Sequence, residues 1–211
     1  MEKPRIAIID YKMCNLFSVE HACRYAGGDP HITSDPAEIE SADAVILPGV
    51  GAYKDAMENI RSIGIDKSIG KAIAEKHSFL GICLGFQLLF SSSEEFGVSS
   101  GLGILEGSVK RFPSEHDGNR LKVPQIGWNQ LEKAKETPYL AGIPENEYMY
   151  FVHSFYVEPK DITLTATRTV YAGFSYCSSV ASGNLFACQF HPEKSAAEGM
   201  KIYRNWIARI R

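Results

Sequence analysis

In the first half of the chain, short apolar runs alternate with stretches whose apolar residues repeat every three or four positions. The runs at residues 5–10, 44–47 and 77–83 are typical of strands buried on both faces of a parallel sheet. Helical stretches are predicted at residues 16–26, from 36, at 52–76 with a break near Gly64, and at 84–95. This alternation predicts three or four parallel strands with helices between them before residue 96.

Residues that cap or stop helices mark the boundaries of these elements. Asn15 precedes the first helical stretch in the position of an N-cap, and Gly27 with Gly28 ends that helix as a left-handed C-terminal cap requires. Asp35 followed by Pro36 is typical of a helix start. The first half of the chain is therefore predicted to be a series of β–α units.

The second half of the chain is predicted to be richer in strands. Its β-type runs lie at residues 101–112, 120–128, 147–157, 162–169 and 185–190, separated by turn residues such as Ser182-Gly183-Asn184. Segment 195–211 is predicted to be a closing helix whose apolar face consists of Met200, Tyr203, Trp206, Ile207 and Ile210. We therefore predict one α/β domain over residues 1–211, with a mainly parallel central sheet flanked by helices and an added antiparallel β layer.

Composition narrows the class of function. Of the 211 residues, 45% are hydrophobic and 22% are charged, which is ordinary for a globular chain with one enzyme-sized core. The net charge is only −3, which speaks against a nucleic-acid or anionic-membrane partner. No apolar stretch approaches the roughly 18 residues of a membrane span, and residues 1–10 carry no signal-type apolar segment. The expected location is therefore the cytoplasm.

The cysteines indicate neither a disulfide framework nor a zinc site, because they are odd in number, widely spaced and without a Cys-x-x-Cys pair. They are Cys14, Cys23, Cys83, Cys177 and Cys188. Cys83 is distinctive because Gly81-Ile82-Cys83-Leu84-Gly85 joins an apolar strand to a helix. Glycines on both sides let the strand turn abruptly into the helix, as in the nucleophile elbow of hydrolases.

This setting gives Cys83 three features of a nucleophile. The sulfur is expected at the carboxyl edge of the sheet, the helix N-terminus favours a thiolate, and the backbone N–H of Leu84 can face a developing oxyanion. The alternative is that Cys83 is a buried small hydrophobic residue, which is the usual state of a free cysteine. The flanking glycines favour the nucleophile.

A cysteine nucleophile needs a base, and six histidines are candidates. Four lie on helices, turns or polar stretches and are the weaker candidates: His21, His31, His77 and His116. His153 and His191 remain. His191 follows the predicted strand 185–190, at the edge where open sheets bind ligands, and Glu193 can hold its imidazole in the correct tautomer. A solvated strand-end turn also explains His-Pro-Glu taken alone, but beside the cysteine elbow a Cys83–His191–Glu193 triad is favoured.

Three motifs together resemble the triad-type, or class I, glutamine amidotransferases. They are Pro48-Gly49-Val50-Gly51, Gly81-Ile82-Cys83-Leu84-Gly85-Phe86-Gln87 and Phe190-His191-Pro192-Glu193. The glycines of the first motif can present backbone amides to an oxyanion, although a flexible β–α turn explains it as well. Further segments resemble the glutaminase subunits of imidazole glycerol phosphate synthase: Ile9-Asp10-Tyr11, residues 125–129, residues 150–156 and Lys194-Ser195.

The resemblance implies a flavodoxin-like glutaminase that hydrolyses L-glutamine to glutamate and ammonia without a metal or cofactor. It implies a heterodimer in which ammonia passes through a channel to a (β/α)8 cyclase subunit during histidine biosynthesis. Cys83 would form a γ-glutamyl thioester, His191 would protonate the departing ammonia and then activate water, and Glu193 would orient His191. Until the partner and its ligand bind, the loop at residues 48–51 is expected in a non-productive orientation.

By the same resemblance, further residues are expected to form the substrate and partner sites. The oxyanion hole would consist of the backbone amides of Val50 and Leu84. The residues expected around the bound glutamine are Gly49, Gly51, Gln87, Glu95, Ser154 and Phe155. The residues expected to face the cyclase are Asn15, Trp128, Tyr150 and Lys194.

Two residues depart from the family pattern, and other functions stay open. Lys12 stands where the family tends to have a glycine, and Cys14 stands where it has a small residue. They bear on the choice of partner, so a paralogous glutaminase that feeds a surface-sugar amidotransferase is one alternative. A cysteine hydrolase or peptidase of the same architecture is a second, against which Gln87 and the tyrosine-rich segment 150–156 count. A non-catalytic binding or redox module is a third, against which His191 and Glu193 count.

Overall fold

A computed structural model describes residues 3–210 as alternating helices and strands in the first half and mostly strands in the second. The helices are α1 Leu16–Tyr25, α2 Pro36–Ser41, α3 Tyr53–Ser62, α4 Asp66–Ala74, α5 Leu84–Leu88 and α6 Ala196–Ile207. The strands are β1 Arg5–Ile9, β2 Asp29–Thr33, β3 Ala44–Leu47, β4 Ser78–Ile82, β5 Phe90–Ser93, β6 Ser99–Ser100, β7 Leu105–Arg111, β8 Glu115–His116, β9 Asn119–Arg120, β10 Gln125–Lys133, β11 Glu147–His153, β12 Phe155–Pro159, β13 Thr165–Tyr171, β14 Phe174–Ser182 and β15 Leu185–Cys188. Met1 and Arg211, which end two of the predicted segments, lie outside the described residues.

One large sheet contains thirteen of these strands, and β8 and β9 form a separate two-stranded sheet. The order of the large sheet is β2-β1-β3-β4-β15-β14-β12-β7-β5-β6, and β13, β10 and β11 continue from β14 as a branch. The strands β2, β1, β3, β4 and β15 are mutually parallel, whereas β14 is antiparallel to β15 and begins the antiparallel part. The predicted fold class, a mainly parallel central sheet with helices and an added antiparallel layer, is confirmed.

The central strands are apolar along their whole length because both of their faces are covered. Ile6 and Ile8 of β1 point into a core that also contains residues of α1 and α6. Ala7 and Ile9 point the other way, into a core shared with α3, α4 and α5. Successive residues of a strand point to opposite faces, so a strand between two helical layers needs apolar residues at every position.

The parallel arrangement brings the candidate chemistry to one edge. The strands β1, β3, β4 and β15 end at Ile9, Leu47, Ile82 and Cys188, and their carboxyl ends lie side by side. The loop at residues 48–51, Cys83 and the segment at 189–193 each follow one of these ends directly. Ligands of open α/β sheets bind at this edge, so the topology gathers the predicted site.

Several element boundaries differ from the sequence-based expectations. The helix predicted at residues 84–95 is wrong beyond Leu88, because Phe90–Ser93 forms β5 and pairs in parallel with β7. The three consecutive serines have a low helix propensity. Pairing with β7 satisfies the backbone hydrogen bonds of this segment, which a helix would otherwise have satisfied. The hydrophobic patterns also did not predict β2 and β14. The strand β2 contains a proline and lies at the sheet edge, and β14 is mostly buried although its sequence is rich in serine. Asn15 stands at the start of α1, but its side chain makes no capping hydrogen bond.

Two further properties hold for the part of the chain from residue 3 to residue 210. Within it, no helix has both the length and the apolar character needed to cross a membrane. Over the same residues, no group of three or more His, Cys, Asp or Glu side chains is arranged to hold a metal ion. All five cysteines carry free thiols.

Gly85 lets α5 start directly against the end of β3. A Cβ atom on Gly85 would lie 1.8 Å from the carbonyl oxygen of Leu47 and 2.7 Å from its carbonyl carbon. Both are backbone atoms of a buried strand, so neither can move aside cheaply. The second glycine of the elbow motif is therefore a packing requirement as well as a turn signal.

We expect Gly85→Ala to destabilise the folded chain by about 3 kcal/mol or more, since overpacking against a buried backbone has no flexible side chain to absorb it. Gly70→Ala is the matched control, because a Cβ on Gly70 of α4 meets no atom within 4 Å. That substitution is expected to stabilise the helix by about 0.5–1 kcal/mol. Urea unfolding of both variants measures the difference, and equal stabilities would contradict the packing argument.

Candidate active site

Cys83 occupies the turn between β4 and α5 in a strained backbone conformation. Its φ is 54° and its ψ is −109°, a region that residues with a side chain rarely adopt. The side chain is 6% exposed. The thiol is 4.0 Å from the carbonyl oxygen of Val152, and its sulfur accepts a hydrogen bond from Nε2 of Gln189 at 3.7 Å. The predicted elbow is thus present, with the sulfur held at the carboxyl edge of the sheet.

His191 and Glu193 form a buried pair beside this sulfur. Nδ1 of His191 lies 2.7 Å from Oε1 of Glu193, and their side chains are only 3% and 2% exposed. The turn at Pro192–Lys194 folds the carboxylate back onto the imidazole. Among residues 3–210, Nε2 of His191 has no hydrogen-bond partner. The ring is therefore oriented by Glu193 and has its second nitrogen available for proton transfer.

The charges around His191 favour its protonated form. Burial lowers the pKa of His191, but the negative charges of a Cys83 thiolate and the Glu193 carboxylate outweigh burial and raise the pKa to about 10. This effect requires the sulfur to lie near the ring. The arrangement suits a cysteine nucleophile paired with a histidine acid–base.

A cavity of about 290 Å³ opens in front of Cys83 and His191. Five of the six residues predicted to surround the substrate line it: Gly51, Gln87, Glu95, Ser154 and Phe155. Gly49 does not line it. Its Cα packs under Tyr11, whose hydroxyl would lie 2.0 Å from an added Cβ. The volume is at the lower end for a small-molecule pocket, which suits a ligand of amino-acid size.

Two of these lining side chains are held by polar contacts. Nε2 of Gln87 donates hydrogen bonds to the carbonyl oxygen of Phe155 at 3.0 Å and to Oε1 of Gln189 at 2.9 Å. Oε2 of Glu95 accepts a 2.6 Å hydrogen bond from the backbone N–H of Tyr53, the first residue of α3. Glu95 therefore presents a carboxylate to the cavity while its other contact satisfies a helix end.

The two amides predicted to form an oxyanion hole are engaged elsewhere. The backbone N–H of Val50 donates to the carbonyl oxygen of Met13 at 2.9 Å, and that of Leu84 donates to the carbonyl oxygen of Gly49 at 3.4 Å. Neither is free to meet an oxyanion at Cys83. The residues predicted for the hole are thus adjacent to the nucleophile, but the hole is not formed in this conformation.

The segment between β1 and α1 holds the loop at residues 48–51 in place. The hydroxyl of Tyr11 donates to the carbonyl oxygen of Pro48 at 2.8 Å, and the thiol of Cys14 lies 3.5 Å from the same oxygen. Lys12, the departure from a family glycine, keeps the left-handed backbone with φ 72°. For a lysine, this conformation carries strain that a glycine would not have.

Three of the four residues predicted to face a partner form one surface cluster. Trp128 and Tyr150 are directly opposite each other on β10 and β11, with ring centroids 6.1 Å apart. Nζ of Lys194 lies 5.9 Å from the centre of the Tyr150 ring. Asn15 is exposed at the start of α1, a helix that contacts the turn at Pro192–Lys194. The carbonyl oxygen of Tyr150 accepts the backbone N–H of His191 at 2.9 Å, which joins this cluster to the triad.

His153, the other histidine left open by the sequence, also lines the cavity but is committed to structural contacts. Its Nδ1 lies 2.7 Å from the carbonyl oxygen of Phe155, and its Nε2 lies 3.3 Å from the hydroxyl of Tyr176. Burial lowers the pKa of His153 to about 4, so the ring is neutral at pH 7. Geometry therefore favours His191 over His153 as the base.

Sequence reasoning missed Pro124, Val152 and Gln189 near the nucleophile. Pro124 and Val152 line the cavity, but they sit within β-type runs and carry no chemical signal of their own. Gln189 is fully buried against Cys83. A polar residue inside the apolar run at 185–190 is the signal that could have found it, because buried amides need partners.

Comparison with known proteins identifies the family. The family described as glutamine amidotransferase class-I matches residues 7–210. This chain belongs to the class I glutamine amidotransferases, as the motifs around Cys83 and His191 predict.

Individual relatives are similar along the whole chain. The imidazole glycerol phosphate synthase subunit HisH of Nostoc punctiforme is 44% identical over 209 residues, covering 99% of this chain and 97% of its own. The protein of the same name from Thermosynechococcus vestitus is 46% identical over 212 residues and covers 100% of both chains. Among solved structures, PurLQS from Thermotoga maritima shares the fold with a TM-score of 0.76, 21% identity and 100% coverage of both chains.

The neutral His153 predicts a pH dependence of stability. An unfolded histidine has a pKa near 6.5, so the unfolded chain binds a proton that folded His153 rejects until about pH 4. Stability from this group is therefore complete above pH 6.5 and is lost as the pH falls toward 4. In His153→Gln, we expect the decrease in unfolding free energy between pH 6.5 and pH 5 to be smaller than in the wild type by roughly 1.5 kcal/mol.

Urea unfolding at the two pH values measures this difference. Carboxylates titrate in both proteins, so only the difference between the two decreases belongs to His153. Identical pH dependence in the two proteins would contradict a neutral, buried ring.

Proposed function

We propose that this chain is the glutaminase subunit of an imidazole glycerol phosphate synthase and hydrolyses L-glutamine to glutamate and ammonia. The observation that carries the proposal is the buried pair of His191 and Glu193, 2.7 Å apart, next to Cys83 at a strained elbow. Membership of the class I glutamine amidotransferases supports the reaction, and the two named relatives support the choice of synthase. We take residues 1–211 to act as one glutaminase domain.

Each triad residue has one role in the proposed reaction. The Cys83 sulfur attacks the side-chain carboxamide carbon of glutamine, and the resulting tetrahedral intermediate collapses to a γ-glutamyl thioester. Protonated His191 gives its Nε2 proton to the departing ammonia and then takes a proton from the water that hydrolyses the thioester. Glu193 fixes the imidazole and stabilises its positive charge from the Nδ1 side. No metal or organic cofactor is needed for these steps.

The remaining cavity residues fit an amino-acid substrate. The carboxylate of Glu95 suits the α-amino group of glutamine, and the segment of Ser154 and Phe155 supplies polar backbone groups at the cavity wall. Gln87 is already hydrogen bonded to the carbonyl oxygen of Phe155, so it stiffens that wall. Gly51 also lines the cavity.

The conformation of the loop at residues 48–51 predicts low glutaminase activity in the absence of a partner. With the N–H of Val50 bonded to Met13, the oxyanion lacks a donor that is typically worth a factor of about 10² to 10³ in rate. Rotation of the Gly49–Val50 peptide would release this N–H toward Cys83. Activation by a partner therefore requires a small change in one loop rather than a new active site.

The partner that we propose is a (β/α)8 cyclase subunit that receives ammonia through a channel in a heterodimer. The cluster of Trp128, Tyr150 and Lys194 is the proposed docking surface, together with Asn15. It adjoins the triad through the hydrogen bond from the backbone N–H of His191 to the carbonyl oxygen of Tyr150, and Asn15 begins the helix α1 that contacts the turn at Pro192–Lys194. An enzyme that depends on a reduced thiol suits the cytoplasm, where we place the complex.

We expect glutamine hydrolysis by the purified chain to be slow and to rise by about 100-fold or more when the cyclase subunit and its nucleotide ligand are added, since the oxyanion donor is then released. Steady-state glutamate production with and without the partner measures this. Cys83→Ala provides the blank and is expected to abolish both rates.

Two outcomes would change the proposal. A strong glutaminase rate that is indifferent to the cyclase would move the partner to a paralogous surface-sugar amidotransferase. Hydrolysis of peptides or esters but not of glutamine would replace the glutaminase with a cysteine hydrolase.

A further inference from the structure

Gln189 is a fully buried amide in direct contact with the nucleophile, and the proposed reaction gives it no role. It follows β15 immediately, two residues before His191, and its side chain is 0% exposed. Its Nε2 donates to the Cys83 sulfur at 3.7 Å, and its backbone N–H donates to the carbonyl oxygen of Ser178 on β14 at 2.8 Å. A buried amide held from both its main chain and its side chain has little freedom to move.

The Gln189 side chain belongs to a continuous line of hydrogen bonds. Its Oε1 accepts from Nε2 of Gln87 at 2.9 Å, and Gln87 also donates to the carbonyl oxygen of Phe155. Nδ1 of His153 lies 2.7 Å from that same carbonyl oxygen. The line therefore connects the sulfur to the cavity wall through two buried amides.

The hydrogen bond that Gln189 accepts from Gln87 fixes the orientation of the Gln189 side-chain amide. With Oε1 taking the N–H of Gln87, the NH₂ group of Gln189 must point to the sulfur, since the reverse orientation would place two donors against each other. The sulfur thus meets an N–H donor from Gln189 in addition to the nearby imidazole of His191. A donor of this kind stabilises a sulfur anion more than a neutral thiol.

We propose that Gln189 is a positioning residue for the glutaminase reaction, which holds the Cys83 sulfur by an N–H···S hydrogen bond and is itself aligned by Gln87. The inference rests on the proposed function only in naming the reaction. Gln189 acts through Cys83, whose sulfur it contacts, and it does not line the cavity proposed to hold the substrate. Its effect is to keep the sulfur in position while His191 serves the leaving group.

The test measures the sulfur directly. In Gln189→Met, a side chain of similar length fills the space but donates and accepts nothing. We expect alkylation of Cys83 by iodoacetamide to become about tenfold slower, because a hydrogen bond to a charged group is lost. Peptide mass spectrometry of the full-length chain follows Cys83 and, in the same sample, Cys23, which is fully buried far from the sulfur in sequence, so its rate reports any general opening of the fold.

Gln125→Met is the matched control, because Gln125 is also a fully buried glutamine on a strand near the site and its side chain contacts Tyr176 and Asn129. We expect it to change the alkylation rate of Cys83 by less than about twofold, since it makes no contact with the sulfur. If Gln189→Met does not fold, Gln189→Asn keeps an amide but shortens it by one methylene, and the same slowing of Cys83 is expected.

Glutamine kinetics provide the second measurement. In complex with the cyclase, Gln189→Met is expected to lower kcat by about tenfold while KM changes less, since the lost contact is with the nucleophile and not with glutamine. Unchanged or faster alkylation of Cys83 would overturn the inference, and so would equal slowing in Gln125→Met. If Gln189→Met slows alkylation of Cys83 but the wild-type chain in complex hydrolyses no glutamine, the inference stands and the proposed function is refuted.

Discussion

The turn at Cys83 is the constraint around which the site is arranged. The chain must leave β4, place one residue at φ 54°, and begin α5 against the backbone of Leu47. Only a residue without a Cβ fits at Gly85, and only a firmly packed sheet can hold a cysteine in that conformation. The strain is located at the nucleophile because the two cores on either side of the parallel strands fix the positions of β4 and α5.

Parallel neighbours convert this single turn into the proposed catalytic site. The strand β15 ends beside β4, so His191 and Glu193 arrive next to Cys83 from more than a hundred positions along the chain. The strand β3 ends on the other side and delivers the loop at residues 48–51. Catalysis at such an edge depends on loops that are short enough to be held by the strands and free enough to reorient.

Two kinds of hydrogen bond keep the site in a resting state. The backbone N–H groups of Val50 and Leu84 donate to backbone carbonyl oxygens, as most backbone N–H groups in folded proteins do. The proposed oxyanion hole is therefore closed. The sulfur meanwhile accepts a hydrogen bond from Gln189. The buried pair of His191 and Glu193 is in place before any ligand arrives. Under the proposed function, activity is limited by the orientation of the Gly49–Val50 peptide, whereas the proposed triad is preorganised.

The sequence by itself determined the parallel strands, the elbow at Cys83, and the pairing of His191 with Glu193, because continuous apolar runs, flanking glycines and a two-residue spacing are local properties. It could not give the end of α5 at Leu88, since pairing with the distant β7 decides whether residues 90–93 form a strand. It left both His153 and His191 as candidates for the catalytic base, and the hydrogen-bond partners of the two rings in the structure favour His191. The direction of the Val50 N–H and the contact of Gln189 with the sulfur were decided only by tertiary structure, because both depend on atoms that are far apart in the chain.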